Sequence, residues 1–339
     1  MVVVQENVTL PINLIKKTLG AIPNPEFNNI LHCPHAISSE YPSFLAVTPV
    51  VKLGETATYL PWKYIPCTAI AVRLQDLLRE NGREFNRIFH DIIRTGNIRE
   101  YLDCPSSVKI VLSSVMRDKL IARSTVDTYV EAVKALGPDF YMTPDGETYE
   151  GEMRRSAMEI ERMLRWTGEI IKRCRDSTPL GLVKGSNTHQ ITGHADILAN
   201  MGVCCMVFHT GDFLHRSTLE EVRRARHYVR EIKQRGYNLL LYGIGPSNFV
   251  KFSNADGFIT QSHYVSAFYG KEYKNGKWVQ HDKGDISLIM KNLVRIDLKA
   301  RQIKNNGGLK KWVEVSDGTE SPMRQDTHKM AVAVPQIGQ

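Results

Sequence analysis

The fold is decided by two runs in the middle of the chain, Leu180-Gly-Leu-Val-Lys184 and Val203-Cys-Cys-Met-Val-Phe208. Both runs are apolar without alternation, which indicates strands buried on both faces, as in a parallel sheet covered by helices. Six further runs of this kind lie before and after them. The eight predicted strands are 44–51, 68–72, 108–113, 139–143, 180–184, 203–208, 238–243 and 256–260.

The stretches between these runs have helical periodicity. Apolar residues recur on one face over 152–174 and again over 217–233, where Ser217 and Glu220 predict a capping box. Strict alternation of strand and helix predicts a (β/α)8 barrel of the TIM type over residues 41–300. An open doubly wound sheet is the structural alternative, but no Gly-rich dinucleotide fingerprint follows the first strand. Residues 1–40 are predicted as an N-terminal extension, 286–301 as a short helical segment and 301–339 as a polar tail.

Composition narrows the class of protein. The chain has 339 residues, with 42% hydrophobic and 24% charged, which is ordinary for a globular protein, and it has no apolar run long enough for a membrane span. Its six cysteines form no C-x-x-C pair, so we expect no bound metal, and we expect no cofactor either. The scattered cysteines suit a reducing, cytoplasmic location. The net charge of +8 favours an anionic partner such as nucleic acid.

Polar residues collect where the predicted strands end, which is where (β/α) barrels carry their chemistry. These candidates are Ser113, Asp145, Lys184, His209, Thr210, Gly211, Asp212 and Gln261. Each taken alone could be a turn residue or a structural side chain. Together, an acid, a cation, an imidazole and a glycine on one rim predict a site for a flat polar heterocycle.

Several segments carry a family resemblance. Ser156-Ala-Met-Glu-Ile-Glu-Arg-Met-Leu-Arg-Trp166 is similar to a helix with the pattern S-M-x-x-T-x-R-W. Gly181-Leu-Val-Lys-Gly185 is similar to a G-[IV]-V-Q-G strand end, and Leu241-Tyr-Gly-Ile-Gly-Pro246 to an L-x-G-[IV]-G turn. Met206–Gly211 and Asp256–Thr260 occupy the places of the A-I-G-G and D-x-F-D-[CS] strands. In this order the chain resembles the tRNA-guanine transglycosylase superfamily over residues 44–280.

The resemblance implies a reaction and a set of roles. Enzymes of this family exchange guanine in nucleic acid for a 7-deazaguanine, through a glycosyl-enzyme intermediate on an aspartate. Carried over, Asp145 would read the base, Lys184 would stand where a glutamine reads the base carbonyl, and Gly211 would be a backbone donor. His209, Thr210, Asp212, Ser113 and Gln261 complete the predicted substrate-binding set.

The chain departs from the family at both expected catalytic positions. Leu112-Ser113-Ser114 replaces a D-S-G motif, and the nucleophile position falls on Ile259. Asp256 and Asp103 are therefore the catalytic candidates, as the nearest displaced carboxylates. The chain also lacks the family's clustered cysteine ligands and its long RNA-binding extension, so the resemblance favours DNA over tRNA as the substrate.

Three functions stay open at this point. The first is base exchange on DNA or tRNA, with a 7-deazaguanine such as preQ0 as the incoming base. The second is a non-catalytic homologue, either a nucleic-acid binder or the partner subunit of a homo- or hetero-oligomer. The third is chemistry on an inserted 7-deazaguanine, motivated by Lys184. The basic segments 223–227 and 271–277 are candidates for phosphate contacts, although such segments are commonly solvated surfaces.

Overall fold

The computed structural model describes residues 46–54, 59–214, 218–281 and 284–305, without the side chain of Asp212. Eight parallel strands form a closed barrel in chain order, and β1 pairs with β8 to complete the ring. The predicted (β/α)8 barrel is confirmed. Its strands are β1 Val47–Val51, β2 Ala69–Arg73, β3 Lys109–Ser113, β4 Phe140–Met142, β5 Thr178–Val183, β6 Cys205–His209, β7 Asn238–Tyr242 and β8 Gly257–Thr260.

Helices surround the barrel, and a hairpin follows β8. The helices are α1 Arg87–Thr95, α2 Ile98–Leu102, α3 Asp118–Ile121, α4 Val126–Leu136, α5 Met153–Arg173, α6 Thr188–Asn200, α7 Gly211–Leu214, α8 Leu219–Gln234, α9 Ser262–Phe268 and α10 Ile286–Asn305. Short 3-10 helices span Pro61–Lys63, Leu74–Asp76 and Pro246–Phe252. The hairpin consists of β9 Lys271–Lys274 and β10 Lys277–Gln280.

The strands bury both faces, which explains their continuous apolar sequences. Side chains that include Val50, Ala71, Val111, Leu182 and Ile259 fill the interior of the barrel. The residues that alternate with them point outward and pack against the helices in two larger clusters. The interior packing ends near Tyr242, and above that level the rim opens.

The observed elements differ from the predicted ones mainly at their ends. The capping box of α8 is formed by Thr218 and Glu221, one residue later than predicted, because the Thr218 side chain accepts from the Glu221 amide. Helix α10 continues to Asn305, beyond the predicted end of the helical segment. The predicted extension 1–40, the tail after Asn305 and Ser217 lie outside the described residues. No helix in the described ranges has the length and apolar character that crossing a bilayer requires.

Candidate functional site: a cationic cleft on the barrel rim

A cleft of about 450 Å³ lies at the carboxyl ends of the barrel strands. Residues that follow β2, β3, β6, β7 and β8 line it, and Trp278 of the hairpin closes one side. This is the end of a (β/α) barrel at which ligand sites are built. The cleft is therefore the first candidate for the functional site.

The charged side chains that line the cleft are arginines. Arg73, which is paired with Asp76, and Arg117 line it, His209 adds an imidazole, and none of the described side chains in the lining is a carboxylate. Arg117 is exposed and forms no ion pair with another described residue. Gln75, Asn248 and Gln261 add amide groups, and Tyr242 adds an aromatic ring. Such a lining suits an anionic ligand that carries a polar heterocycle.

Arg73 is held in a fixed orientation at the end of β2. Its guanidinium donates to both carboxylate oxygens of Asp76, at 2.7 and 3.0 Å, and to Oε1 of Gln261 at 3.0 Å. Burial raises the pKa of Asp76 above its ordinary value, although Arg73 acts in the opposite direction. Since Arg73 and Gln261 belong to β2 and the segment after β8, their hydrogen bond ties the two sides of the cleft together.

Two glycines leave room for the imidazole of His209. A Cβ at Gly211 would lie 2.6 Å from His209 Nε2, and a Cβ at Gly243 would lie 3.2 Å from the ring. Gly243 also has a φ of +80°, a backbone conformation that other residues rarely adopt. The ring packs edge-on against Tyr242, with centroids 5.6 Å apart. The two glycines therefore allow the histidine to lie within the wall of the cleft.

Asp145 and Lys184 form an ion pair beneath the cleft and do not line it. Lys184 Nζ lies 3.0 Å from Asp145 Oδ1, and their side chains are only 13% and 2% exposed. Asp145 also accepts hydrogen bonds from the amides of Gly146, at 2.8 Å, and Met116, at 3.4 Å. Because Met116 lines the cleft, the carboxylate lies one residue below its surface.

The other predicted binding residues divide between the cleft and the core. His209, Gly211 and Gln261 line the cleft. Ser113 is buried, and its hydroxyl accepts from the Val115 amide at 3.2 Å. Thr210 is also buried and donates to the carbonyl of Tyr242 at 3.0 Å. The Ser113 hydroxyl therefore stabilises the turn after β3, and the Thr210 hydroxyl joins the ends of β6 and β7. Asp212 follows Gly211 in α7, and its side chain lies outside the described atoms.

The structure corrects the assignment of Asp256 and Asp103 as catalytic residues. Asp256 precedes β8, at the end of the barrel opposite the cleft, and β8 pairs with β1 in regular register without a bulge. Its carboxylate accepts from Lys233 at 2.7 Å and from the Leu239 amide at 2.6 Å. Asp103 is the exposed, left-handed C-cap of α2, also ahead of its strand. Neither carboxylate reaches the strand ends.

Two fully buried histidines stay uncharged at neutral pH. Burial lowers the pKa of His194 to about 4 and that of His263 to about 3. His194 Nδ1 lies 3.2 Å from the backbone of Lys184, so it fixes the end of β5. Neither of these two histidines therefore adds positive charge to the protein at neutral pH. Within the described ranges, no group of three or more His, Cys, Asp or Glu side chains is arranged to hold a metal ion.

Sequence reasoning missed Arg73, Arg117, Tyr242, Asn248 and Trp278 as cleft residues. The position of Arg73 could have indicated a site residue, since it follows the apolar run of β2 directly and so lies at a strand end. Tyr242 could have been found in the same way, because it is the last residue before the glycine turn after β7. Nothing in the sequence pointed to Trp278, because no strand was predicted in its segment.

Fold and site together define this protein as a (β/α)8 barrel with a cationic cleft at the carboxyl ends of its strands. No protein-family model matches the sequence, and no curated protein matches it. Among solved structures, an N-acetylneuraminate lyase from Mycoplasma synoviae is similar at 12% identity with a TM-score of 0.39, over 65% of this chain and 70% of that one. Active domain 2 of a thermostable chitinase from Pyrococcus furiosus, solved as catalytic-site mutants complexed with chito-oligosaccharides, is similar at 9% identity with a TM-score of 0.42, over 77% and 98% of the chains. Such distant similarity carries no functional argument.

Proposed function

We propose that this protein is a base-exchanging glycosyltransferase that replaces guanine in DNA or tRNA with a 7-deazaguanine such as preQ0. The observation that carries the proposal is the cationic cleft at the strand ends, where Arg73 and Arg117 face an opening wide enough for a nucleotide. The sequence resemblance supplies the reaction.

The residues of the cleft suit the parts of a nucleotide. Arg117 is exposed and suits a phosphate, while the amides of Gln261 and Asn248 can bond to polar edges of a base. Tyr242 offers an aromatic ring, and burial raises its pKa, so its phenol stays protonated. The glycines beside His209 leave room for its imidazole, which can offer a polar nitrogen in the wall of the cleft.

Exchange needs a carboxylate that attacks C1′ of the sugar. Its oxygen forms a bond to C1′ while the bond from C1′ to the guanine nitrogen breaks, and the guanine leaves with a proton. The incoming 7-deazaguanine then loses its proton, bonds to C1′ and displaces the carboxylate. The carboxylate residues next to the cleft lining include Asp145, whose carboxylate accepts from the Met116 amide, and Asp212, which follows Gly211 in the sequence. We propose these two as the groups to test.

The decisive experiment is incorporation of radiolabelled guanine, and separately of preQ0, into duplex DNA, single-stranded DNA and tRNA. We expect incorporation by the wild type and its loss in Asp145→Asn or Asp212→Asn. Asp256→Asn is the matched control, because Asp256 lies at the opposite end of the barrel. Absence of exchange on all three nucleic acids would refute the proposed function. Full exchange by both aspartate variants would refute only the assignment of Asp145 and Asp212 as catalytic carboxylates.

A second candidate is a homologue that binds nucleic acid without exchanging bases. It is favoured by the observation that no described side chain in the cleft lining is a carboxylate. This candidate predicts oligonucleotide binding by the wild type, no exchange, and no covalent adduct in denaturing electrophoresis. Recovery of an adduct on Asp145 or Asp212 would exclude it. Modification of an inserted base, the third function that the sequence leaves open, has no separate structural observation in its favour.

A further inference from the structure

An exposed surface next to the cleft combines aromatic rings with lysines. Phe268 is 71% exposed and Tyr269 is 64% exposed, although both are large and apolar in their rings. Their centroids are 5.5 Å apart in an edge-on arrangement. Lys271, Lys274 and Lys277 follow on the hairpin. We call these five residues the aromatic–lysine surface.

The lysines of this surface repel one another when no anionic partner is bound. In the hairpin register Lys274 lies directly opposite Lys277, and like charges in that position destabilise a strand pair. The connecting residues, Asn275 and Gly276, both have positive φ, which gives a tight turn that holds the two lysines at the tip. None of the three lysines forms an ion pair with another described residue. An anionic partner would offset their repulsion.

The one described acid of the hairpin does not neutralise this charge. Glu272 is buried and bonded to Arg295, and it also accepts from His281 Nε2 at 2.6 Å. The hydrogen bond from Arg295 holds the pKa of Glu272 below its ordinary value. The carboxylate is thus satisfied internally, and the charged side chains that the described hairpin exposes to solvent, Lys271, Lys274 and Lys277, are all positive.

The aromatic–lysine surface is continuous with the cleft. Trp278 lines the cleft and stands in the hairpin opposite Tyr273, with which its ring packs at 5.0 Å. Tyr269 adjoins the base of the same hairpin, where its carbonyl accepts from Gln280 at 2.9 Å. The strand that carries the cleft residue Trp278 therefore also carries Lys277 and contacts Tyr269 through Gln280.

We propose that the aromatic–lysine surface binds a single strand of nucleic acid that flanks the nucleotide in the cleft. The lysines contact phosphates, and Phe268 and Tyr269 stack on unpaired bases. A single strand fits better than a duplex, because the faces of paired bases are covered by their neighbours and cannot stack on side chains. This inference rests on nucleic acid as the ligand in the proposed function, but it does not depend on base exchange.

The test measures binding of a fluorescein-labelled single-stranded DNA of mixed sequence by anisotropy, at several salt concentrations. We expect Phe268→Ala/Tyr269→Ala to raise the dissociation constant by about thirtyfold or more, since loss of each stacking ring typically costs about fivefold or more. Phe268→Tyr/Tyr269→Phe keeps both rings and should bind like the wild type. Tyr64→Ala, which removes an exposed ring ahead of β2, is the matched control and should have no effect.

The contribution of the lysines is tested by measuring how the binding affinity depends on salt concentration. We expect Lys271→Ala/Lys274→Ala/Lys277→Ala to reduce the slope of log affinity against log salt by about 2, since each phosphate contact with a single strand contributes about 0.7. Lys134→Ala, on an exposed position of α4, is the control and should leave the slope unchanged. All variants are compared by thermal melting to verify that they fold.

The outcomes separate this inference from the proposed function. Single-strand binding that depends on the surface, without any base exchange, supports the inference and refutes the exchange proposal. Base exchange with unchanged binding in both surface variants overturns the inference and leaves the proposal standing. Failure of the wild type to bind a single strand overturns the inference. So does a concentration-dependent dimer, seen by sedimentation, that the Phe268→Ala/Tyr269→Ala variant abolishes, because the rings would then contact a second copy.

Discussion

The buried pair of Asp145 and Lys184 gives the sharpest prediction for stability. Replacing Lys184 by methionine keeps the length of the side chain and removes its charge. The carboxylate that remains is 2% exposed, so water cannot replace the lost ammonium. We expect the variant to be strongly destabilised, because burying an uncompensated charge is more costly than breaking an exposed pair.

The magnitude follows from the geometry. Two unit charges 3.0 Å apart attract by about 5 kcal/mol at an effective dielectric constant of about 20, and loss of one partner of a buried pair costs about 3–5 kcal/mol. Asp145 retains hydrogen bonds from the amides of Gly146 and Met116, which places the expected loss near the lower limit, about 3 kcal/mol. Asp145→Asn should cost less, because Lys184 is 13% exposed and closer to solvent.

Urea denaturation followed by circular dichroism measures these differences in the free energy of unfolding. The double variant Asp145→Asn/Lys184→Met should be less destabilised than the sum of the single variants, by about 2 kcal/mol. Arg79→Met, which breaks an exposed pair with Glu84, is the control and should cost less than about 1 kcal/mol. A Lys184→Met variant within 1 kcal/mol of the wild type would refute the assumption that the pair is buried and coupled.

Three further predictions address other parts of the molecule. His263 has a pKa of about 3 in the folded protein and about 6.5 in the unfolded chain, so the stability present above pH 6.5 is lost as the pH falls towards 3. His263→Phe should lower the slope of the unfolding free energy against pH by about 1.4 kcal/mol per pH unit between about pH 6 and 4. An unchanged slope would contradict this prediction. Gly211→Ala should displace His209 and weaken oligonucleotide binding by about tenfold in anisotropy, while wild-type affinity would show that the ring adapts. Asp256→Asn should lower the urea midpoint by the equivalent of about 1 kcal/mol without altering binding, because it weakens the contacts with Lys233 and Leu239; altered affinity would argue against its position away from the cleft.

The barrel could be predicted because its signal is repeated eight times. Each strand is buried on both faces, so its apolar run is visible without knowledge of its partners, and most observed ends differ from the predicted ones by one or two residues. The hairpin of β9 and β10 was missed. Its lysine-rich sequence hides the strand pattern, although Asn275-Gly276 is the pair that a tight turn requires.

The site could be predicted only to the level of the rim. Strand order establishes that residues after the strands meet, which brought His209, Gly211 and Gln261 together correctly. Strand order does not establish how deeply each side chain is buried. Asp145 and Lys184 were predicted to contact a ligand, but they lie beneath the surface of the cleft as a pair. Depth is decided by the packing of residues such as Met116 over them, which depends on contacts between distant segments.

Closure of the barrel has a consequence for synthesis of the protein. Arg73 is translated long before Gln261, and β8 is the last strand of the barrel to emerge from the ribosome. Until β8 inserts between β7 and β1, the nascent sheet has two unpaired edges, which are prone to pairing with other chains. Arg73 meanwhile lacks the amide that ties it across the cleft. The nascent protein therefore acquires its complete cleft and loses its exposed sheet edges in the same folding step.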